Sequence, residues 1–113
     1  MTLSDRHYGR LAETLAAWAL RLRGFRVVGQ NVRVGGREVD LLAQRGTLLV
    51  VCEVKARRGS LFGTPAEAVG PHKRRRLREA AEMLMADDPS VERVRFDVIA
   101  VSGLSVRHLP EAF

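Results

Sequence analysis

A single cysteine, Cys52, rules out an internal disulfide. Its place in the apolar run Leu48-Leu49-Val50-Val51-Cys52 makes it a core residue rather than a nucleophile. The three histidines, His7, His72 and His108, are far apart, and no Cys/His group has zinc spacing, so each reads as incidental. No apolar run approaches the roughly 20 residues that span a bilayer. The first ten residues, MTLSDRHYGR, lack the apolar segment of a signal peptide. The expectation is a cytoplasmic protein with no membrane partner. Internal repeats and low-complexity segments are also absent.

What is present is ordinary for a globular chain, with 46% hydrophobic and 28% charged residues. The 113 residues suit one domain over 1–113, long enough to bury a core. Nineteen Lys+Arg against thirteen Asp+Glu leave a net charge of +6. A balance this basic suggests a polyanionic partner, most simply nucleic acid, unless it serves solubility alone, so its distribution decides.

The stretch Gly36–Lys55, GREVDLLAQRGTLLVVCEVK, reads as two β-strands joined by a turn at Gly46-Thr47. A two-residue loop sets Arg45 opposite Leu48, which carries Asp40 to a position opposite Glu53 and Glu38 to one opposite Lys55. Facing carboxylates repel, so stability alone disfavours the pair. A hard divalent cation between them reverses the sign, since it takes oxygen ligands at about 2.0–2.1 Å. Strand alternation puts Lys55 on the same face as Glu53. Read by itself, Glu-x-Lys is equally an ordinary solvated strand face. Here, however, it ends a run that is apolar on both faces, where charges need partners.

Ser4 to Arg23 reads as an amphipathic helix with a buried stripe of Tyr8, Leu11, Ala12, Leu15, Ala19 and Leu22, ended by Gly24. Beside that stripe runs a row of Gly9, Glu13, Ala16 or Ala17, and Leu20. Glu13 in that row is by its pattern a partly exposed helix glutamate. Phe25–Val34 reads as a strand. Arg57 and Arg58 open a glycine-bounded basic loop to Gly63 that is expected to be mobile. Thr64-Pro65-Ala66-Glu67 has the form of a capping box. Gly70-Pro71 then leads into a helix to Ala86, buried along Leu77, Ala80, Ala81 and Leu84. Lys73, Arg74, Arg75 and Arg76 crowd its first turns. That placement opposes the helix dipole but suits phosphate binding, with Lys73 turned toward the protein body. Val94–Val101 reads as a strand parallel to its neighbour, and Leu104–Leu109 as a short edge strand. Asp97 could belong to the site, but reads more readily as a structural acid at a strand end.

Taken together, Gly9-x-x-x-Glu13, Asn31, Gly36-Arg37-Glu38-Val39-Asp40, Glu53-Val54-Lys55 with Arg57, Lys73 and Arg95-Phe96-Asp97-Val98 resemble the YraN-like family of uncharacterised bacterial proteins. That family is similar in turn to archaeal Holliday-junction resolvases and the PD-(D/E)xK nuclease superfamily. Val39 stands where the superfamily has proline. The resemblance implies an α/β, restriction-endonuclease-like fold, a mixed central β-sheet flanked by helices. It implies Mg²⁺ or Mn²⁺ held by Asp40, Glu53 and the Val54 carbonyl, with Glu13 completing the cluster directly or through water. Lys55 would orient the attacking water, and Arg57, Arg58, Lys73, Arg74, Arg75 and Arg76 would hold the backbone of DNA, more readily than RNA. By analogy the substrate would be branched DNA and the enzyme a homodimer. Two readings of other kinds stand beside this: a catalytically silent nucleic-acid-binding module, and a protein-interaction domain.

Overall fold

A computed structural model describes residues 5–57 and 69–113. Arg58, the rest of the basic loop and the capping box at 64–67 lie outside the described residues, as does the Arg57 side chain. Helix α1 (Asp5–Leu22) leads into β1 (Arg26–Val34), β2 (Arg37–Arg45) and β3 (Leu48–Arg57); α2 (Pro71–Asp87), β4 (Arg93–Ser102) and β5 (Ser105–Leu109) follow. The strands form one sheet in chain order. Only β3 and β4 pair in parallel, and α2 supplies the crossover that a parallel pair requires. Among the described residues no helix is long and apolar enough to cross a membrane.

The doubly apolar run of β3 is explained by a helix on each face of the sheet. Val50 and Cys52 pack with Ile99, Val101 and the α1 residues Ala12, Ala16, Ala17 and Leu20. Leu49 and Val51 pack with Val98 and the α2 residues Leu77, Ala80 and Ala81. This is an α/β domain with a mixed five-stranded sheet, consistent with the restriction-endonuclease-like architecture.

Helix α1 departs from its expected face. Leu22 is 85% exposed, whereas Ala12, Ala16, Ala17 and Leu20 are buried. Two apolar stripes interleave on this helix, and the sheet accepts the one with smaller side chains, which lets the helix approach closely. The row carrying Glu13 therefore lies nearer the sheet than its neighbour.

Asp97 lies in the middle of β4 rather than at a strand end and is held by structural contacts, and His108 does not keep its incidental reading. Asp97 is fully buried and takes both Arg95 Nε and Nη2 at 2.9 Å, His108 Nε2 at 2.6 Å and the Glu111 N–H at 3.1 Å. Arg23 Nη1 donates to His108 Nδ1 at 2.7 Å, which leaves the Nε2–H to donate to Asp97. Burial pushes the Asp97 carboxyl up, but the hydrogen bonds from His108, Arg95 and Glu111 outweigh it and hold the group below the usual carboxylate range.

A carboxyl whose folded pKa is lowered stabilises the protein above its unfolded pKa and loses that effect as pH falls through the folded value. Asp97→Ala should thus cost about 3 kcal/mol near neutral pH, as the loss of a buried, multiply bonded charge does. In urea melts the gap from wild type should close in strong acid. A gap that persists there would mean that Asp97 acts by packing, not by charge.

Candidate metal centre

The register of β2 on β3 follows from the turn at Gly46, whose φ of +60° glycine adopts freely. Arg45 pairs with Leu48, and the ladder continues to Leu41 with Cys52, where it stops. Asp40 is therefore not a ladder partner of Glu53, nor Glu38 of Lys55; Glu38 pairs instead with Arg33 on β1. Val39 packs on the α2 side while Leu41 and Ala43 pack on the α1 side, so the two-residue alternation slips at Asp40. Pairs Gln30–Leu41 and Val32–Val39 flank the slip, which puts Asn31 across from Asp40. Asn31 has φ +49°, left-handed and uncommon outside glycine.

The slip turns the Asp40 carboxylate toward the neighbouring strand. Its Oδ2 accepts the Val54 N–H at 2.9 Å, in place of a ladder bond. A strand residue directs its N–H and C=O toward the same neighbour, so the Val54 carbonyl faces this gap too. Glu53 comes from the α2 face of β3 and is only 3% exposed. Its Oε1 forms an ion pair with Lys73 Nζ and stands 4.0 Å from Lys55 Nζ. Its Oε2 is buried with no hydrogen-bond partner among the described residues. Asp40 is raised from 3.8 to about 6: burial is the main cause, Glu53 adds repulsion and a side-chain hydrogen bond that favours the protonated acid, and the Val54 N–H and Lys73 oppose the rise.

Asp40 opens on a cleft of about 520 Å³ between the β1–β2 hairpin and the start of α2. Arg33, Arg37, His72, Lys73 and Arg76 line it, together with the acid Glu38. Helix α2 starts at Gly70 with no side-chain cap and no acid in its first turn, so its positive end adds to these cations.

The site residues expected from the sequence divide accordingly. Asp40, Glu53, Val54, Lys55 and Lys73 converge; Lys73 is bound to Glu53 rather than held out as a plain backbone contact. Arg76 lines the cleft, and exposed Arg75 meets His72 Nδ1 at 3.2 Å. Arg74 is committed elsewhere, with Nε on the Val69 carbonyl at 2.7 Å and its guanidinium 5.4 Å from the Phe113 ring centroid. Glu13 accepts from Asn31 Nδ2 at 2.8 Å on the α1 side. Among the described residues no three of His, Cys, Asp and Glu gather into a metal-ligand group, so Glu13 is not drawn to the Asp40–Glu53 pair. Arg33 and Arg37 went unread as site residues, although they flank the Gly35-Gly36 turn on the same hairpin as Asp40. Arg37 is itself ion-paired with Glu79.

Asp40, Glu53 and the Val54 carbonyl form an all-oxygen donor set, which suits hard cations such as Mg²⁺ or Mn²⁺. The orphaned Glu53 Oε2 and the elevated Asp40 are what such a set looks like when its charges are only partly compensated.

Residues 12–101 match the Uncharacterised protein family UPF0102. A UPF0102 protein of Rhodococcus opacus is 47% identical over 111 residues, covering 93% of this chain and 94% of the relative. One from Symbiobacterium thermophilum is 43% identical over 100 residues, covering 86% and 83%. Another from Syntrophotalea carbinolica is 39% identical over 119 residues, covering 100% and 96%.

Because the folded pKa of Asp40 lies above its unfolded value, the folded protein holds a proton that the unfolded chain has released between about pH 4 and about pH 6. Stability contributed by this group falls as pH rises through that window. Asp40→Asn keeps the acceptor for Val54 without the charge. It should exceed wild type by about 2 kcal/mol in urea melts at mildly alkaline pH and match it near pH 4. A pH-independent difference would show that the Asp40 charge is not the strained group.

Proposed function

The chain belongs to the UPF0102 family, the YraN-like family of its sequence motifs, and on that premise we propose that it is a metal-dependent endonuclease acting on DNA phosphodiesters. The observation that carries the reading is Glu53, buried with one oxygen unpartnered among the described residues, beside a second carboxylate, Asp40, that lines a cleft with Arg33, Arg37, His72, Lys73, Arg76 and the acid Glu38. A surface built for solubility has no use for that combination, since each buried acid destabilises the fold unless something compensates it.

Asp40, Glu53 and the Val54 carbonyl would hold Mg²⁺ or Mn²⁺, with Glu13 contributing through water from the α1 side. A divalent cation there supplies charge neutralisation on a phosphodiester and a more acidic water. Lys55, on the same strand face as Glu53, orients the attacking water and offsets charge that develops on the phosphate. Arg33, Arg76 and the open end of α2 hold the backbone by charge, so binding is salt-sensitive and independent of sequence. Branched DNA is the favoured substrate within this reading. Cutting two strands of such a substrate calls for two copies of the chain, hence a homodimer.

Thermal unfolding with Mn²⁺ in chelated buffer tests the centre first. A ligand specific to the folded state adds about 2.7 kcal/mol at a hundredfold excess over its Kd. Wild type should gain stability, and Asp40→Asn and Glu53→Gln should gain little or none. Branched and linear DNAs should then be nicked by wild type, with Lys55→Met slower by about a hundredfold or more. Tight DNA binding without cleavage in any metal would instead support a silent binding module. Metal-blind unfolding and salt-insensitive DNA binding would leave a protein-interaction domain.

A further inference from the structure

Two lysines serve one oxygen of Glu53. Lys73 Nζ is paired with Oε1, and Lys55 Nζ stands 4.0 Å from it. Lys55 rises from β3 itself and its side chain is 24% exposed. Lys73 has a side chain 45% exposed, belongs to the first turn of α2 and lines the cleft with Arg33, Arg37 and Arg76. A lysine stem is flexible, and rotamer changes of a half-exposed side chain are fast, so Lys73 can exchange Glu53 for the cleft without backbone movement. A buried carboxylate does not remain uncompensated, however, so it leaves only when another cation arrives. Asp40, the Val54 carbonyl and the unpartnered Oε2 mark where that second cation would be held. A divalent cation on that carboxylate would strongly repel the lysine in direct contact with it, whereas Lys55 already stands off at 4.0 Å.

We propose that Lys73 is an exchangeable counterion: it neutralises Glu53 in the metal-free protein and turns to a substrate phosphate in the basic cleft when a divalent cation takes Glu53. The exchange rests on the metal-site reading above and adds a regulation of that site. Metal and phosphate bind cooperatively, each strengthening the other by the same factor, because coupling between two ligands is reciprocal.

Lys73→Met and Lys73→Arg, compared with wild type by thermal unfolding and Mn²⁺ titration at mildly alkaline pH without nucleic acid, test it. In chelator Lys73→Met should melt below wild type, since Glu53 is left buried and unpaired, and Mn²⁺ should raise its Tm by the larger increment. Its Mn²⁺ affinity should be tighter by roughly fivefold, the lower end of usual coupling strengths. Lys73→Arg keeps a competing cation and should bind Mn²⁺ as wild type does. With a short DNA duplex and Ca²⁺, the gain in DNA affinity on adding metal should shrink in Lys73→Met. If Lys73→Met is unfolded in chelator, refolding by Mn²⁺ but not by NaCl supports the exchange, and failure to refold overturns it. If wild type binds Mn²⁺ as tightly as Lys73→Met or more so, the exchange is wrong while the metal site stands. If neither protein responds to Mn²⁺, with or without the duplex, the metal site is wrong and the exchange falls with it.

Discussion

Asp40 and Glu53 are like charges brought together where the β2–β3 ladder stops, and the surrounding structure is arranged around that repulsion. Glu53 cannot turn to solvent, because β3 is covered on both faces and the carboxylate emerges on the α2 side. Asp40 cannot pair across the ladder, because the strand slips there and its carboxylate takes the Val54 N–H. Burial itself disfavours the Asp40 charge most, and repulsion from Glu53 adds to it, so Asp40 holds its proton to about pH 6, while Lys73 pairs with Glu53. Each neighbouring contact is a partial remedy, and Glu53 Oε2 is the part left without one.

The same constraint links site to topology. Strands β3 and β4 are parallel, so the chain must cross over between them, and α2 occupies that crossover. A helix there starts beside the end of β3, which delivers its positive terminus and the cations of its first turn to Glu53. A run such as His72-Lys73-Arg74-Arg75-Arg76 is unfavourable at an isolated helix start. Beside a buried carboxylate and an open cleft it becomes the source of counter-charge. Within that run the packing sorts otherwise similar residues. Lys73 meets the acid and Arg76 the cleft, while Arg74 ties the helix to the Val69 carbonyl and Phe113.

The strands, the parallel crossover and the hairpin register near the turn were legible because they follow from local rules, a two-residue turn at Gly46 and a doubly apolar strand. The slip at Asp40 was not, since it depends on a left-handed Asn31 two strands from Glu53. The buried face of α1 was ambiguous: Leu22 and Leu20 belong to interleaved stripes, and only the fit of the alanines against β3 chooses between them. Lys73 could be read as facing the body of the protein, but its partner could not, because that contact spans the crossover. His108 had a usable signal. The turn falls at Gly103-Leu104, one residue beyond the Ser102-Gly103 expected from the sequence, and sets His108 opposite Ile99, which makes Asp97 its diagonal neighbour on the same face.

Asp40 and Asp97 lie two strands apart in the same sheet, and burial pushes both upward, yet they end on opposite sides of the ordinary carboxylate range. The difference is in their partners. Asp97 meets a bidentate arginine, a histidine N–H and a backbone N–H, enough donors to satisfy an ionised carboxylate, and nothing further is required of it. Asp40 meets one N–H, one acid and a lysine whose principal contact is that acid. Burial alone would have nominated both as functional. Subtracting the donors already present leaves only Asp40 short of positive charge, and that shortfall is what a cation would fill.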